Sequence, residues 1–463
     1  MLAQSSMAGP WLDAGDQRLR HDIQMLADAG LIHLPMQSWP LQAADIDLAV
    51  GQLSIEDVAE PALRRALTRV RGRVRRESRA GRWRTHLAGA IAANPESIRS
   101  FNNKLREDGE AEIGAEWMGQ RFATRIQGQW INDPDDGDDW RLDGSYAAAI
   151  MGNWGVSIDT MDRWWGPGWD GSLILSNNAR SFPKLAVQRN YSEPADLPVL
   201  SWLGPWRYIA FLGILDDQHA QHSQPLLFGH RFESAPLPSL QLGLSSTVMF
   251  GGGDRGENLG SLVDVYLGEE DDDGDNPGYQ ITAVDARWKL PFIPLAVYGQ
   301  YAGQSEKGSF ADEDMQLYGA ETWFNFGTMG HSLRLQIEYA DLGANDDGVY
   351  ANDIYPDGYT NYGHSIGHAF NIDSGVAGEL STLTLTWVTP EGSTLHVRGR
   401  DGERNEPGGT QQQDYSEVQF GYEHRLADDS HWSFDLGWRD FSGEINNDDG
   451  SEWYGAFLIR RNF

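Results

Sequence analysis

The chain has no cysteine in its 463 residues. That excludes disulfides, thiolate metal centres and cysteine nucleophiles. Long hydrophobic runs are missing as well: no stretch approaches 18 consecutive apolar residues, so no membrane-spanning helix is encoded. The opening MLAQSSMAGP lacks the apolar core of a signal peptide, so export would require a signal removed before this numbering begins. Positive charge is scarce, with 36 Lys and Arg against 68 Asp and Glu, a net charge of −32. An acidic surface of this size repels nucleic acid, which is excluded as a partner.

Familiar catalytic constellations are also wanting. There is no G-x-S-x-G, and no carboxylate pair stands out among the 68 acidic residues. GGGDRG at 251–256 follows a strand pattern but leads into another strand pattern, so no helix N-terminus is on offer to a pyrophosphate; it reads as a periplasmic turn. The acidic run from Glu269 to Gly274 puts Gln280, not Glu, at the twelfth position of an EF-hand frame, and solubility is its expected role. His219 with His222, and His364 with His368, lack an HExxH context and read as polar loop residues. No enzyme activity, metal or cofactor is expected.

What is present divides the chain in two. Residues 1–130 carry 17 Lys and Arg against 16 Asp and Glu, whereas residues 131–463 carry 19 against 52. The shift marks a boundary near residue 120. Before it, Leu19, Ile23 and Leu26 fall at helical spacing and Gly30 suits a C-terminal stop. Ser54 and Asp57 resemble a capping box, with Leu63, Leu67, Val70 and Val74 forming an apolar stripe behind them. Ten arginines between Arg64 and Arg84 are read as the polar face of this helix, meeting the acidic second part.

Beyond the boundary the period changes from 3.6 to 2. In RFATRIQGQWI, Phe122, Thr124, Ile126 and Trp130 alternate with Ala123, Arg125, Gln127 and Gln129. The alternation returns in SLVDVYLG, ITAVDARW, MQLYGAETWFNF, SLRLQIEYA, STLTLTWV, SEVQFGYEHRL, SFDLGWRDF and the final WYGAFLIRRNF. Short connections such as Gly327–Gly330, Thr389–Gly392 and Asp428–Asp429 alternate with long polar ones at 269–278, 341–378 and 401–413. Tight turns on one side and long loops on the other are the mark of a transmembrane β-barrel. About eleven strands fit from Ser239 to the end and seven more from Arg121 to Phe232, an even total near 18. Trp453, Gly455, Phe457, Ile459 and the terminal Phe463 share one strand face, interrupted by Arg461, which can snorkel. Trp130, Trp288, Trp323, Trp387, Trp438 and Trp453 lie near strand ends, as interfacial girdles require. A soluble propeller or sandwich would show blade repeats, and no fixed period is found.

Among 18 tryptophans, three crowd one stretch: WWGPGWDGSLILSNNAR, residues 164–180, hinged on Gly166, Pro167 and Gly168. Rigid indole faces on such a loop suit the apolar faces of sugar rings. Alternatively, Trp164, Trp165 and Trp169 pack the lumen. Asp170, Asn177, Asn178, Arg180 and Arg189 lie nearby in sequence, and LSWLGPWR repeats the theme with Trp202, Trp206 and Arg207. Arginine offers a bidentate partner to an acidic polysaccharide.

These two tryptophan motifs, with the helical start and the terminal Phe463, resemble the Wzi family of capsule-assembly outer-membrane proteins. The resemblance implies a monomeric 18-stranded antiparallel barrel whose periplasmic end is covered by a small α-helical bundle. Residues 1–118 would form the periplasmic plug, and residues 119–463 the outer-membrane barrel with long extracellular loops. It also implies a non-catalytic lectin that binds capsular or exported polysaccharide and helps attach it to the cell surface, embedded in outer-membrane lipid. A carbohydrate-selective porin or export channel is the alternative. Candidate polysaccharide contacts are Trp164, Trp165, Trp169, Asp170, Asn178, Arg180, Arg189, Trp202, Trp206 and Arg207. The strongly acidic outer loops depart from what an acidic polymer would prefer unless cations bridge them.

Overall fold

Helical periodicity ends at Glu77, and strand periodicity begins at Trp83. The computed structural model describes residues 11–463 except 103–104, 199, 218, 220–221, 254, 268–277, 306–312, 344–349, 353, 372–376, 406–410, 427 and 444–449. Helix α1 spans Gln17–Asp28, and the Asp16 carboxylate caps it by accepting from the Leu19 N–H at 2.9 Å. Gly30, at φ +71°, ends it as expected. Helix α2 is Ala43–Gly51 and α3 is Pro61–Glu77, which buries Ala66, Leu67, Val70 and Val74 against the other two. Ser54 lies in a turn before α3 rather than at its cap; Pro61 starts the helix, its missing N–H costing nothing at the first position.

Eighteen strands then close a barrel. They are β1 Trp83–Ala93, β2 Gly109–Met118, β3 Phe122–Asn132, β4 Tyr146–Met151, β5 Trp154–Asp159, β6 Lys184–Arg189, β7 Trp206–Ile214, β8 Leu226–Leu237 and β9 Leu240–Phe250. There follow β10 Gly278–Lys289, β11 Leu295–Ser305, β12 Glu313–Phe326, β13 His331–Asp341, β14 Ala377–Val388, β15 Ser393–Asn405, β16 Gln412–Arg425, β17 His431–Gly443 and β18 Gly450–Asn462. Trp140–Arg141 pairs with β3 ahead of β4, as the first piece of the same broken strand. Every neighbour is antiparallel, and β18 closes on β1 from Gly455↔Ala93 to Asn462↔His86. Closure leaves this sheet without an edge strand, so no row of backbone groups is left unpaired along it.

The wall explains the alternation. Ile113, Ile126, Ile158, Ile337, Leu383 and Val418 face outward and are exposed, whereas Glu112, Gln127, Ser157, Glu338, Thr382 and Glu417 beside them in sequence are buried inward. Tight connections at 119–121, 152–153, 238–239, 290–294, 327–330, 389–392 and 426–430 share one rim with Phe463; the long segments share the other. One exception is 190–205, a long connection at the short-turn rim.

Five expectations need correction. The boundary at 118/119 falls too late, because β1 and β2 already belong to the barrel. In RTHLAGAIAA the small Ala and Gly give no apolar contrast for the eye to follow. The total of 18 stands, but with ten strands, not eleven, after Ser239, six, not seven, from Arg121 to Phe232, and β1 and β2 ahead of them. SLVDVYLG is helix α4, Leu259–Leu267, whose Val265 packs outside the wall on Val248 and Phe250 of β9; a short apolar run fits either period. GGGDRG lies on the long-loop side, and Gly251, Gly252 and Gly253 take φ of +70°, +84° and +58° there. Among the six girdle candidates, Trp323 faces the lumen beneath the Arg334 guanidinium, 5.3 Å from its ring. The acidic run at 269–274 lies outside the described residues.

Candidate functional site

At the end of β5 the chain leaves the wall. Arg163 clamps Asp159 at 2.7 Å, and Trp164–Trp165 then pairs with Ser38–Trp39 of the N-terminal part. The hinge residues turn the loop down the lumen. Gly168 is obligatory here: a Cβ would run into the Gly171 carbonyl. The loop is gripped by one acid, since Glu338 of β13 accepts the backbone N–H groups of Trp169, Asp170 and Gly171 at 2.9, 3.1 and 2.7 Å. The Tyr298 hydroxyl donates to the same carboxylate at 3.0 Å.

Aromatic and cationic groups fill the space around it. The Trp164 indole N–H donates to the Gly168 carbonyl at 3.1 Å. Arg20 of α1 donates to the Pro167 carbonyl at 2.8 Å and lies 4.1 Å from the Trp169 ring and 4.4 Å from Phe101. Asp170 is held bidentately by Arg400 at 2.8 and 3.1 Å and accepts from Thr382 at 2.8 Å. Burial alone would raise the Asp170 carboxyl, but Arg400 and Arg398 outweigh it and hold the group well below the ordinary carboxylate range. From the far rim, residues 350–371 fold inward over this loop. Tyr350 and Tyr359 donate to the carbonyls of Leu173 and Ile174 at 2.8 and 3.1 Å, and the Asn178 side chain donates to the Ser365 carbonyl at 2.9 Å. Loop, wall and inward cap share one buried core.

The structure therefore separates the sequence candidates into three groups. Trp164 and Trp165 have no exposed surface and Trp169 is buried, so their indole faces are covered by protein; they pack the lumen instead of presenting faces to sugar. Asp170 and Asn178 are buried with their partners named above. Arg180 stands nearer the long-segment rim. It pairs with Asp138 at 2.7 Å, Asp143 at 2.9 Å and Asp136 at 3.0 Å, and lies 4.3 Å from the half-buried Tyr362 ring. Arg189, Trp202, Trp206 and Arg207 sit at the opposite, short-turn rim. Arg207 meets Asp45 of α2 at 2.9 Å, and Arg189 lies 3.7 Å from the Trp206 ring, while Trp202 is exposed. The two tryptophan motifs thus never meet: an odd number of wall crossings, β6 alone, lies between them.

Sequence reading missed Glu338, Arg398 and Arg400. Their signal was present, as charges on the wet face of SLRLQIEYA and LHVRGRD, but nothing in the pattern distinguishes an inward charge that meets protein from one that meets water.

The 78–451 region matches the family of the capsule assembly protein Wzi. Over 332 residues the chain is 28% identical to an uncharacterised 55.8 kDa protein from the cps region of Klebsiella pneumoniae; the match covers 70% of this chain and 64% of that protein's length. A solved structure from Escherichia coli, Wzi, described as a carbohydrate-binding β-barrel of the outer membrane involved in group 1 capsule assembly, superposes with a TM-score of 0.84 at 23% identity. It covers 98% of this chain and 100% of the other. A closed 18-strand wall with an apolar exterior, a lumen filled from both rims and this family match lead to one assignment: the chain belongs to the Wzi capsule assembly family, as a β-barrel of the Gram-negative outer membrane.

Proposed function

We propose that this protein is a non-catalytic lectin that holds capsular or exported polysaccharide at the cell surface as a monomer. The short-turn rim, with helices α1 to α3 inside it, faces the periplasm, and the long segments face out. The observation that carries the reading is the inward fold of residues 160–183 beneath residues 350–371. A lumen packed in this way suits a fixed outer surface for a polymer better than a path through the wall, which tells against the porin or exporter alternative.

The polymer-facing groups lie at the outer mouth rather than in the tryptophan loop. Tyr362 and His364, both half-buried, flank the exposed Gly363, and Asp138 has half its side chain in solvent. Arg180 braces this corner from below. A ring, an imidazole and a carboxylate held this rigidly can meet the apolar face and hydroxyls of a sugar at little entropic cost.

Retention of purified capsular polysaccharide on immobilised protein tests the reading. Tyr362→Ala and Arg180→Ala should weaken retention while leaving the heat-modifiable, compact gel band intact; Trp202→Ala, at the other rim, should leave both unchanged. Loss of retention only in variants that also lose the folded band would sink the assignment of this corner. In cells, deleting the gene should leave polymer synthesis intact and shed the polymer into the medium.

A further inference from the structure

Four arginines at one rim are left over from every network described above. Arg79 and Arg82 lie in the link between α3 and β1, Arg121 in the tight turn between β2 and β3, and Arg461 near the end of β18. All four are exposed, and among the described residues none makes an ion pair or a side-chain hydrogen bond. Several neighbours differ: on α3, Arg69 meets Asp22 at 2.6 Å and Arg73 meets Glu77 and Asp429, and on β1, Arg84 meets Glu77 and Glu116. Arg64, Arg65 and Arg71 of α3 donate to backbone carbonyls instead, while Arg75, in the last turn of that helix, is exposed like the four.

Register brings the four to one sector of the rim. Trp83 pairs with Trp117, and the Gly81 N–H donates to the Met118 carbonyl at 2.7 Å, which sets Arg82 beside the end of β2. The Gly119 N–H donates to the Phe122 carbonyl at 2.7 Å, closing the turn that carries Arg121. On the other side, Arg461 pairs with Leu87 of β1, and Phe463 exchanges hydrogen bonds with Thr85. The charges therefore flank three consecutive strands, β18, β1 and β2.

Their surroundings are apolar and aromatic. Trp83, Phe122 and Phe463 are each more than 60% exposed, and the outward faces of β1, β2 and β18 continue above them with Leu87, Ile91, Ile113 and Ile459. The Arg461 guanidinium lies 6.0 Å from the Phe463 ring. On a neighbouring turn the exposed Asp428 feels Arg461. At the far rim the outward-facing positions reverse sign, carrying Glu379, Asp401, Asp414 and Asp440.

Aromatic side chains at the end of a lipid-facing strand mark the depth of the headgroups, and arginine stems can lie along the wall while the guanidinium reaches the phosphate layer. Guanidinium forks match phosphate oxygens bidentately, and a weakly hydrated cation loses little in leaving bulk water for that layer. We propose that Arg79, Arg82, Arg121 and Arg461 form a site for the phosphate of anionic phospholipid in the inner leaflet of the outer membrane. This rests on the proposed orientation, with the short-turn rim toward the periplasm. The site fixes the barrel's height and rotation on the side where the strand ends meet, and it needs no sugar.

Native mass spectrometry of the full chain, released from micelles doped with equal phosphatidylglycerol and phosphatidylcholine, tests it. The wild type should retain phosphatidylglycerol preferentially. The Arg79→Gln, Arg82→Gln, Arg461→Gln variant should lose that preference, each arginine accounting for roughly fivefold in affinity. Single variants serve where the triple fails to give the folded gel band. Equal retention of both lipids by the wild type, or an undiminished preference in the folded variants, overturns the proposal, and an acidic periplasmic protein or polymer would then be the ligand of these arginines. Polysaccharide retention is measured on the same preparations. Its loss without loss of lipid preference separates failure at the outer mouth from failure at this rim.

Discussion

Arg400 and Asp170 meet through two hydrogen bonds, at 2.8 and 3.1 Å, with the Arg400 side chain wholly shielded from solvent. The pair ties the inward loop to β15, and Arg400 continues to Glu417 at 2.7 Å and Glu96 at 3.1 Å. Removing one partner leaves charge buried without compensation, which typically costs about 3–5 kcal/mol. Arg400→Ala should therefore lower the temperature at which the fast-migrating folded band disappears on heat-modifiability gels. Restoring charge balance with Asp170→Asn in the same chain should recover part of the loss. A double variant no better than the single would show that the fork geometry, not the charge, carries the stability.

Gly171 lies against the His368 ring so closely that a Cβ would have to displace the imidazole. Its backbone N–H is also the nearest of the three on Glu338. Gly171→Ala should push His368 away and loosen residues 350–371 from the loop below, at a cost of about 1–3 kcal/mol for overpacking. Limited proteolysis should then cut within 350–371 in the variant under conditions that leave the wild type whole. A variant as resistant as the wild type would mean that His368 moves aside freely.

The same inward cap gives the protein a pH dependence. Burial, then the Arg106 and Arg99 guanidinium groups, pushes His364 down to about 4; burial, against the pull of Asp170, does the same for His368. Both rings stay neutral in the folded cap while an unfolded cap takes up protons below the ordinary value of 6.5. The contribution is fully present above pH 6.5 and is lost progressively as pH falls toward 4. Protease access to residues 359–371 should rise across that window, and His364→Gln with His368→Gln should flatten the rise. An unchanged profile in the double variant would assign the effect to the carboxylates.

The barrel was legible because period 2 persists wherever a strand carries Val, Leu, Ile or Trp outward, and the turn asymmetry fixed the topology. It failed where contrast vanished. Ala90, Gly89 and Ala88 mark no face in β1, and Leu259 to Leu267 satisfies both periods. The tryptophan loop was found but misassigned in role, since Trp164 on a Gly/Pro hinge reads alike whether it points to solvent or to Trp39 and Phe101. Only the third dimension places Glu338, 167 residues further along the chain than Gly171, beneath the loop.

That single carboxylate is also where the plug can be opened. Glu338 accepts from three backbone N–H groups and from the Tyr298 hydroxyl, so both of its oxygens are acceptors throughout. In Glu338→Gln one oxygen becomes an NH2 group, which faces N–H donors and cannot bond them, leaving at least one buried donor unpaired at a cost of about 1–3 kcal/mol. The wall would be untouched, because the Glu338 backbone keeps its place opposite Gly319 and Thr382. In planar bilayers the wild type should show no steady large conductance, and Glu338→Gln should show intermittent openings as residues 166–171 detach. Steady, large conductance from the intact wild type would instead mean that solute passes the packed loop, and the lectin reading would give way to transport.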